Sequence, residues 1–129
     1  MIQVQSLLKI SDNSGAKLAR CIRILKKGKN SRYGFIGDLV VLSIQKIRSK
    51  NKLTSKVKKG DVIFGVIVKT KFSQTRKSGL SFSSLFNSAV LFNFTKQFKP
   101  VATRVLGLVP REIRSSKFSK LVSLSSGLV

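Results

Sequence analysis

Apolar and polar residues alternate in short runs along most of this chain, and the runs are strand-sized. Residues 7–10 (Leu-Leu-Lys-Ile) open the pattern and stop at the polar turn Asp12-Asn13-Ser14-Gly15. Asp and Asn side chains bond their own backbone in such turns, and Gly15 can supply a positive φ. Residues 18–25 predict a second strand, with Ile22 and Ile24 on one face and Cys21 and Arg23 on the other. Gly37-Asp38 then ends a turn and starts a strand over 39–46. Val40, Leu42 and Ile44 share one face there. Leu39 and Val41 begin the other, which turns polar at Ser43 and Gln45. One end of this strand is therefore expected to be buried on both sides. Gly60-Asp61 repeats the device before a strand over 62–70, so Asp38 and Asp61 read as residues that launch strands. A further apolar run covers 89–94, and Pro100 breaks the pattern.

The segments between these runs are polar and basic. Residues 26–34 read as a loop carrying Gly28, Asn30, Ser31 and Gly34. Residues 46–59 offer few apolar anchors and predict an exposed loop or extended ribbon. Arg76-Lys77-Ser78-Gly79 suits a hairpin tip within 71–86, and its polar flanks predict that the hairpin projects from the body. After Pro100 the chain changes character. Pro110 fits the first position of a short helix, with one turn over 111–114, where Glu112 sits between Arg111 and Arg114 as a local ion pair. A second turn is expected over 116–121, followed by an extended or packed stretch over 121–124. Short strands, frequent turns and a minor helical tail predict a mainly β protein, a small barrel with an appendage. We read it as one domain, 1–129, with the barrel core over about 1–100 and the short-helix region over about 101–129.

Charge changes the picture. The 129 residues hold 26 Lys and Arg against 4 Asp and Glu, a formal net charge of +22, while 42% are apolar. There is enough apolar matter for a core, yet the folded chain repels itself. A polyanion offsets that repulsion through counterion release, so nucleic acid is the expected partner. Neither a basic amphipathic helix nor a lipidation signal favours a membrane surface, and no apolar run is long enough for a transmembrane helix. The start of the chain shows neither a secretory signal nor an Arg-rich transit segment. With no His, one Cys and four scattered carboxylates, no metal site, cofactor or catalytic constellation is expected. Cys21 reads as a small strand residue, and its singleness suits a reducing compartment.

Three basic patches are candidate phosphate contacts: Lys26, Lys27, Lys29 and Arg32; then Lys46, Arg48, Lys50, Lys52, Lys58 and Lys59; then Lys69, Lys71, Arg76 and Lys77. Tyr33, Phe35 and Phe72 lie beside these patches, where stacking on unpaired bases is an option, whereas Phe64, Phe92 and Phe94 read as core.

Residues 11–16 (Ser-Asp-Asn-Ser-Gly-Ala), 57–62 (Val-Lys-Lys-Gly-Asp-Val) and 109–118 (Val-Pro-Arg-Glu-Ile-Arg-Ser-Ser-Lys-Phe) occur in this order. Together with Gly37-Asp38-Leu39-Val40, residues 66–71 and Thr103-Arg104, they resemble the large-subunit ribosomal protein family numbered fourteen over nearly the whole chain. The resemblance implies a five-stranded barrel, a projecting hairpin and a C-terminal region of short helices. It implies a structural constituent of the large subunit that binds rRNA, helps to bridge to small-subunit rRNA, and neighbours the ribosomal proteins numbered three and nineteen. In bacteria and organelles it also implies a ribosome-silencing factor docked on the C-terminal face, where Thr103, Arg104 and Lys120 would lie. The chain departs from the family at Ser83-Ser84-Leu85-Phe86, Ala102 and Leu108. These departures, with heavy use of Lys, Ser, Phe, Ile and Asn, suggest a divergent, mitochondrion-encoded member, ahead of a plastid or bacterial one. The alternative function is a free single-stranded nucleic-acid binder built on a small barrel, which needs a groove lined with stacking aromatics.

Overall fold

The computed structural model of the chain describes residues 1–26, 29–30, 32–49, 54–94, 98–114 and 118–129. In these residues the alternating runs become β1 (Leu7–Ile10), β2 (Ala16–Lys26), β3 (Lys29–Asn30), β4 (Leu39–Ile47), β5 (Val62–Lys69), β6 (Gln74–Thr75), β7 (Ser81–Phe82), β8 (Ser88–Phe94) and β9 (Phe98–Pro100). A 3-10 turn, Arg111–Ile113, and a short helix, α1 (Ser119–Leu124), follow in the tail. Strands β1, β2, β4, β5 and β8 pair antiparallel in that order, and β1 closes onto β8 in parallel. The result is the closed five-stranded barrel that the family resemblance implies. β9 extends β8 outward. β3 folds back on β2, so the stretch read as a basic loop is in part a narrow hairpin.

Two apolar clusters explain why some strands alternate and others do not. The barrel interior holds Leu8, Ile10, Cys21, Ile24, Val40, Leu42, Ile44, Ile67 and Leu91. A second cluster lies outside the barrel wall, where Val66, Val68, Val90 and Phe92 meet Val105, Val109, Ile113, Phe118 and Leu121 of the tail. Phe92 and Phe118 cross edge to face, with ring centroids 5.9 Å apart. β5 and β8 are thus covered on both sides, which removes any need for polar positions in their middles. Leu39 packs against the outer cluster while Val40 lies inside, so the double burial expected for the start of β4 is present.

Three local expectations are corrected. Ile22 and Ile24 do not share a face. The register slips between Cys21, opposite Leu42, and Arg23, opposite Val41, leaving Ile22 as the extra residue of a bulge. A bulge resets the alternation, so Cys21 and Ile24 are both buried and Ile22 is exposed. Residues 121–124 are helical, because a helical turn brings Leu121 and Leu124, three apart, onto the outer cluster together. Pro110 precedes the 3-10 turn, in extended backbone, instead of opening it.

Gly65 marks a tight crossing in the wall. A Cβ built there would lie 2.6 Å from Leu42 Cδ1 and 3.2 Å from the Val90 carbonyl oxygen. Gly65→Ala is expected to destabilise the fold by about 1–3 kcal/mol, through overpacking against a buried side chain and a fixed backbone. A fall in the urea midpoint at unchanged m-value would show it.

Candidate nucleic-acid interface

Residues Lys9, Lys17, Lys46, Arg48 and Lys59 line one open groove of about 860 Å³, along with Ile10, Gln45, Ile47 and Ser49. The strands bring them there. Lys9 points outward on β1 between buried Leu8 and Ile10, and it lies opposite Leu18, which lies opposite Lys46 on β4. Two bulges sharpen the placement. β2 has one residue too many between Ala16 and Leu18, and β4 one too many between Ile44 and Lys46. The extra residues are Lys17 and Gln45, and both line the groove. Bulges commonly re-aim side chains in this way. The Arg48 N–H donates to the Gly15 carbonyl, and its Nη2 donates to the Ile10 carbonyl at 3.3 Å, which turns the guanidinium back over the strands. The Gly60 N–H donates to the Ile44 carbonyl, so the turn carrying Lys59 returns to β4. Among the described residues the lining holds five cations, no carboxylate and no aromatic ring.

The groove gathers three of the residues singled out in the sequence, Lys46, Arg48 and Lys59, and adds Lys9 and Lys17, which sequence reasoning missed. Lys58 is exposed nearby, and its N–H donates to Asp61 Oδ2 at 2.8 Å. Arg32 is exposed but does not line the groove. Lys26 and Lys29 pair backbone to backbone where β2 meets β3. Their side chains, and Lys27, Lys50 and Lys52, lie outside the described residues. Tyr33 and Phe72 are exposed, Phe35 and Phe64 half-buried, and Phe92 buried as expected; the Phe94 side chain lies outside the described residues.

In the third patch, Lys71 and Lys77 are exposed. Lys69 is half-buried, with its Nζ 5.7 Å from the Phe86 ring centroid, while Lys9 Nζ sits 4.4 Å from the same ring. The expected hairpin exists: β6 pairs β7 as a separate sheet, and the Arg76 N–H donates to the Leu80 carbonyl. Its Arg76 is turned inward. Nε donates to Glu112 Oε1 at 2.6 Å, and Nη2 donates to Glu112 Oε2 at 3.3 Å and to the main-chain oxygen of Val129 at 2.7 Å. The hydrogen-bonded partner of Glu112 is thus Arg76, 36 residues away, instead of the adjacent arginines.

The tail is held at a second point. Asn13 Oδ1 accepts from the N–H groups of Thr103 (3.0 Å) and Arg104 (3.2 Å), while its Nδ2 donates to Thr103 Oγ1 at 2.8 Å. Asp12, fully buried beside it, accepts from the Ser14 N–H at 2.9 Å, from the Ser14 hydroxyl and from the Leu91 N–H at 3.0 Å. The family model for Ribosomal protein L14p/L23e matches residues 1–129. The chain belongs to this family. With it come the role of a structural protein of the large ribosomal subunit, association with rRNA and other ribosomal proteins, and a place in the ribosome.

Membership gives the resembling motifs a physical content. In this family member the 11–16 stretch is a bracket: Asp12 fastens β8, and Asn13 fastens the tail. The Gly-Asp pairs are turn devices as expected, with Asp38 Oδ2 accepting from the Phe35 N–H at 2.9 Å and Asp61 repeating the contact. All four carboxylates are therefore occupied by backbone N–H groups, a hydroxyl or Arg76. Among the described residues no three His, Cys, Asp or Glu gather as a metal site, and no helix is long and apolar enough to cross a membrane. Cys21 is buried, and desolvation raises its thiol pKa, leaving little thiolate.

Desolvation opposes ionisation at Glu112, but the Arg76 hydrogen bond, its own backbone and the charges of Arg76 and Arg111 outweigh it and hold the carboxyl below its ordinary 4.5. A carboxylate with a lowered folded pKa contributes stability above its unfolded value and loses it as pH falls through the folded one. The stabilities of the parent and of Glu112→Gln are expected to differ most above about pH 5 and to converge in acid. Urea titrations across pH 3–7 would test this, and a gap unchanged at the acid end would count against it.

Proposed function

We propose that the chain binds large-subunit rRNA, with the groove of Lys9, Lys17, Lys46, Arg48 and Lys59 as its main phosphate contact. The observation that carries this reading is the lining itself: cations gathered by the strand register and its bulges, with no carboxylate among the described lining residues. Phosphate contacts of this kind position a protein on folded RNA. Among the described residues no aromatic lines the groove, which argues against a free single-stranded binder, since that needs stacking platforms. Lys58, Lys71, Lys77 and Arg32 are exposed and extend the cationic surface.

Family membership supports finer assignments. We infer a bridge to small-subunit rRNA, and the ribosomal proteins numbered three and nineteen as neighbours. Thr103, Arg104 and Lys120 are exposed, and the Val105 N–H donates to the Leu124 carbonyl, which sets residues 103–104 beside the helix carrying Lys120. That surface suits a ribosome-silencing factor. The composition supports a mitochondrial ribosome. The test is sedimentation: the chain travels with the large subunit through a sucrose gradient and survives a moderate salt wash. Recovery only at the top of the gradient would remove the proposal.

A further inference from the structure

We propose that Glu112 is a positioning residue: acting through Arg76, it fixes the pose in which the hairpin tip presents Lys77 to RNA. The inference rests on the rRNA-binding reading above. Strands β6 and β7 have two residues each and form a sheet of their own, unbonded to the barrel ladder. Such a ribbon is marginal in isolation. Its base is fastened, since the Ser84 N–H donates to the Thr70 carbonyl at 2.9 Å and the Lys71 N–H to Asn87 Oδ1 at 2.8 Å. Beyond the base the hairpin does not pack flush. A cleft of about 180 Å³ lies between it and the tail, lined by Lys69, Phe82, Leu108, Pro110 and Val129 among others.

Arg76 spans this gap. Its guanidinium forks onto Glu112, reaches Val129, and lies 4.6 Å from the ring centroid of Phe82 on the opposite strand. The far side of the joint is firm: Ile113 is fully buried, Val109 bridges Leu128, and the Val129 N–H donates to the Val109 carbonyl. A planar, always-charged fork makes a directional strut that an ammonium cannot replace. Arg76 thus supplies geometry and the exposed Lys77 supplies charge. Holding the ribbon before RNA arrives removes an ordering cost from binding.

The experiment uses the full chain with spin labels at Ser78→Cys and Ser126→Cys, where buried Cys21 does not compete. Pulsed EPR is expected to give a narrow tip-to-tail distance distribution in this parent and a broad one in Glu112→Ala and in Arg76→Lys. Glu112→Gln, which keeps the side-chain shape, serves if the alanine variant misfolds. Affinity for a large-subunit rRNA transcript is expected to fall about three- to tenfold in Glu112→Ala, with the salt slope unchanged. Unbroadened distributions in both variants would overturn the inference. So would tighter binding with a slope steeper by about 0.9, since that would show Arg76 released to a phosphate. A parent that ignores the transcript at low salt would defeat the rRNA reading and the RNA half of this inference, while the hairpin–tail joint would still be read from the distances alone.

Discussion

Replacing Lys17, Lys46 and Lys59 together by Gln is expected to weaken binding to a large-subunit rRNA transcript by about 10²-fold at 0.1 M salt. Each neutralised phosphate releases condensed counterions, so the slope of log K against log salt should fall by about 0.9 per lost contact, or roughly 2.7 in all. The three side chains are exposed, and no hydrogen bond or ion pair ties them to the rest of the protein among the described residues. Stability of the free chain should therefore hold. It should even rise slightly, because the formal charge drops from +22 to +19 on removing three cations and self-repulsion drops with it. As a control, the same number of exposed cations taken from outside the groove and the hairpin should change the slope less. If Arg20, Arg23 and Lys99 prove equally costly, charge counts but the groove does not, and the interface assignment fails.

The strands were legible because alternation survives wherever one face of a strand meets water. β1 and most of β4 lie within two residues of their expected bounds for that reason, while β5 and β8, covered on both faces, are legible as strand-sized apolar runs. Barrel closure was not legible from the residues. It depends on Lys9 and Ile10 lying beside Ser88 and Ala89, a parallel contact across most of the chain, and the number of strands came from the family resemblance. The bulges were invisible for a related reason, since alternation assumes a constant phase while Lys17, Ile22 and Gln45 each interrupt it. That is also why Lys9 and Lys17 were missed. Each is an isolated lysine on a strand, outside any basic run, and only the register brings them to Lys46. Arg76 shows a different limit of the sequence. It sits in a basic tip and reads as a phosphate ligand, but its acid lies 36 residues away and turns it inward. In the tail, short apolar spacings fit a helix or an extended segment equally, and only the outer cluster decides between them.

Asp12→Ala is expected to cost the free protein about 3–5 kcal/mol, a large share of a small domain's stability. The carboxylate is fully buried and accepts from two backbone N–H groups and a hydroxyl. Removing it leaves the Ser14 and Leu91 N–H groups without their acceptor, and an unsatisfied buried donor costs roughly 1–3 kcal/mol. The damage reaches across the barrel mouth, because Leu91 belongs to β8, while the same turn holds Thr103 and Arg104 through Asn13 and pairs Asp12 with Val105. Asp12→Asn should be milder, keeping an acceptor for Ser14 while turning an amide N–H towards the Leu91 N–H. Urea unfolding measures both, and a loss below about 1 kcal/mol for the alanine variant would contradict the bracket assigned to this turn. Saturating rRNA transcript should return part of the loss, since a ligand that binds only the folded chain stabilises it by mass action. The salt slope of that binding should match the parent's, because Asp12 faces no phosphate. Asp12→Ala and the groove triple therefore separate: one lowers stability and leaves the slope, the other lowers the slope and leaves stability. A single variant that moved both in proportion would mean that the mount and the contact surface are not distinct parts of this fold.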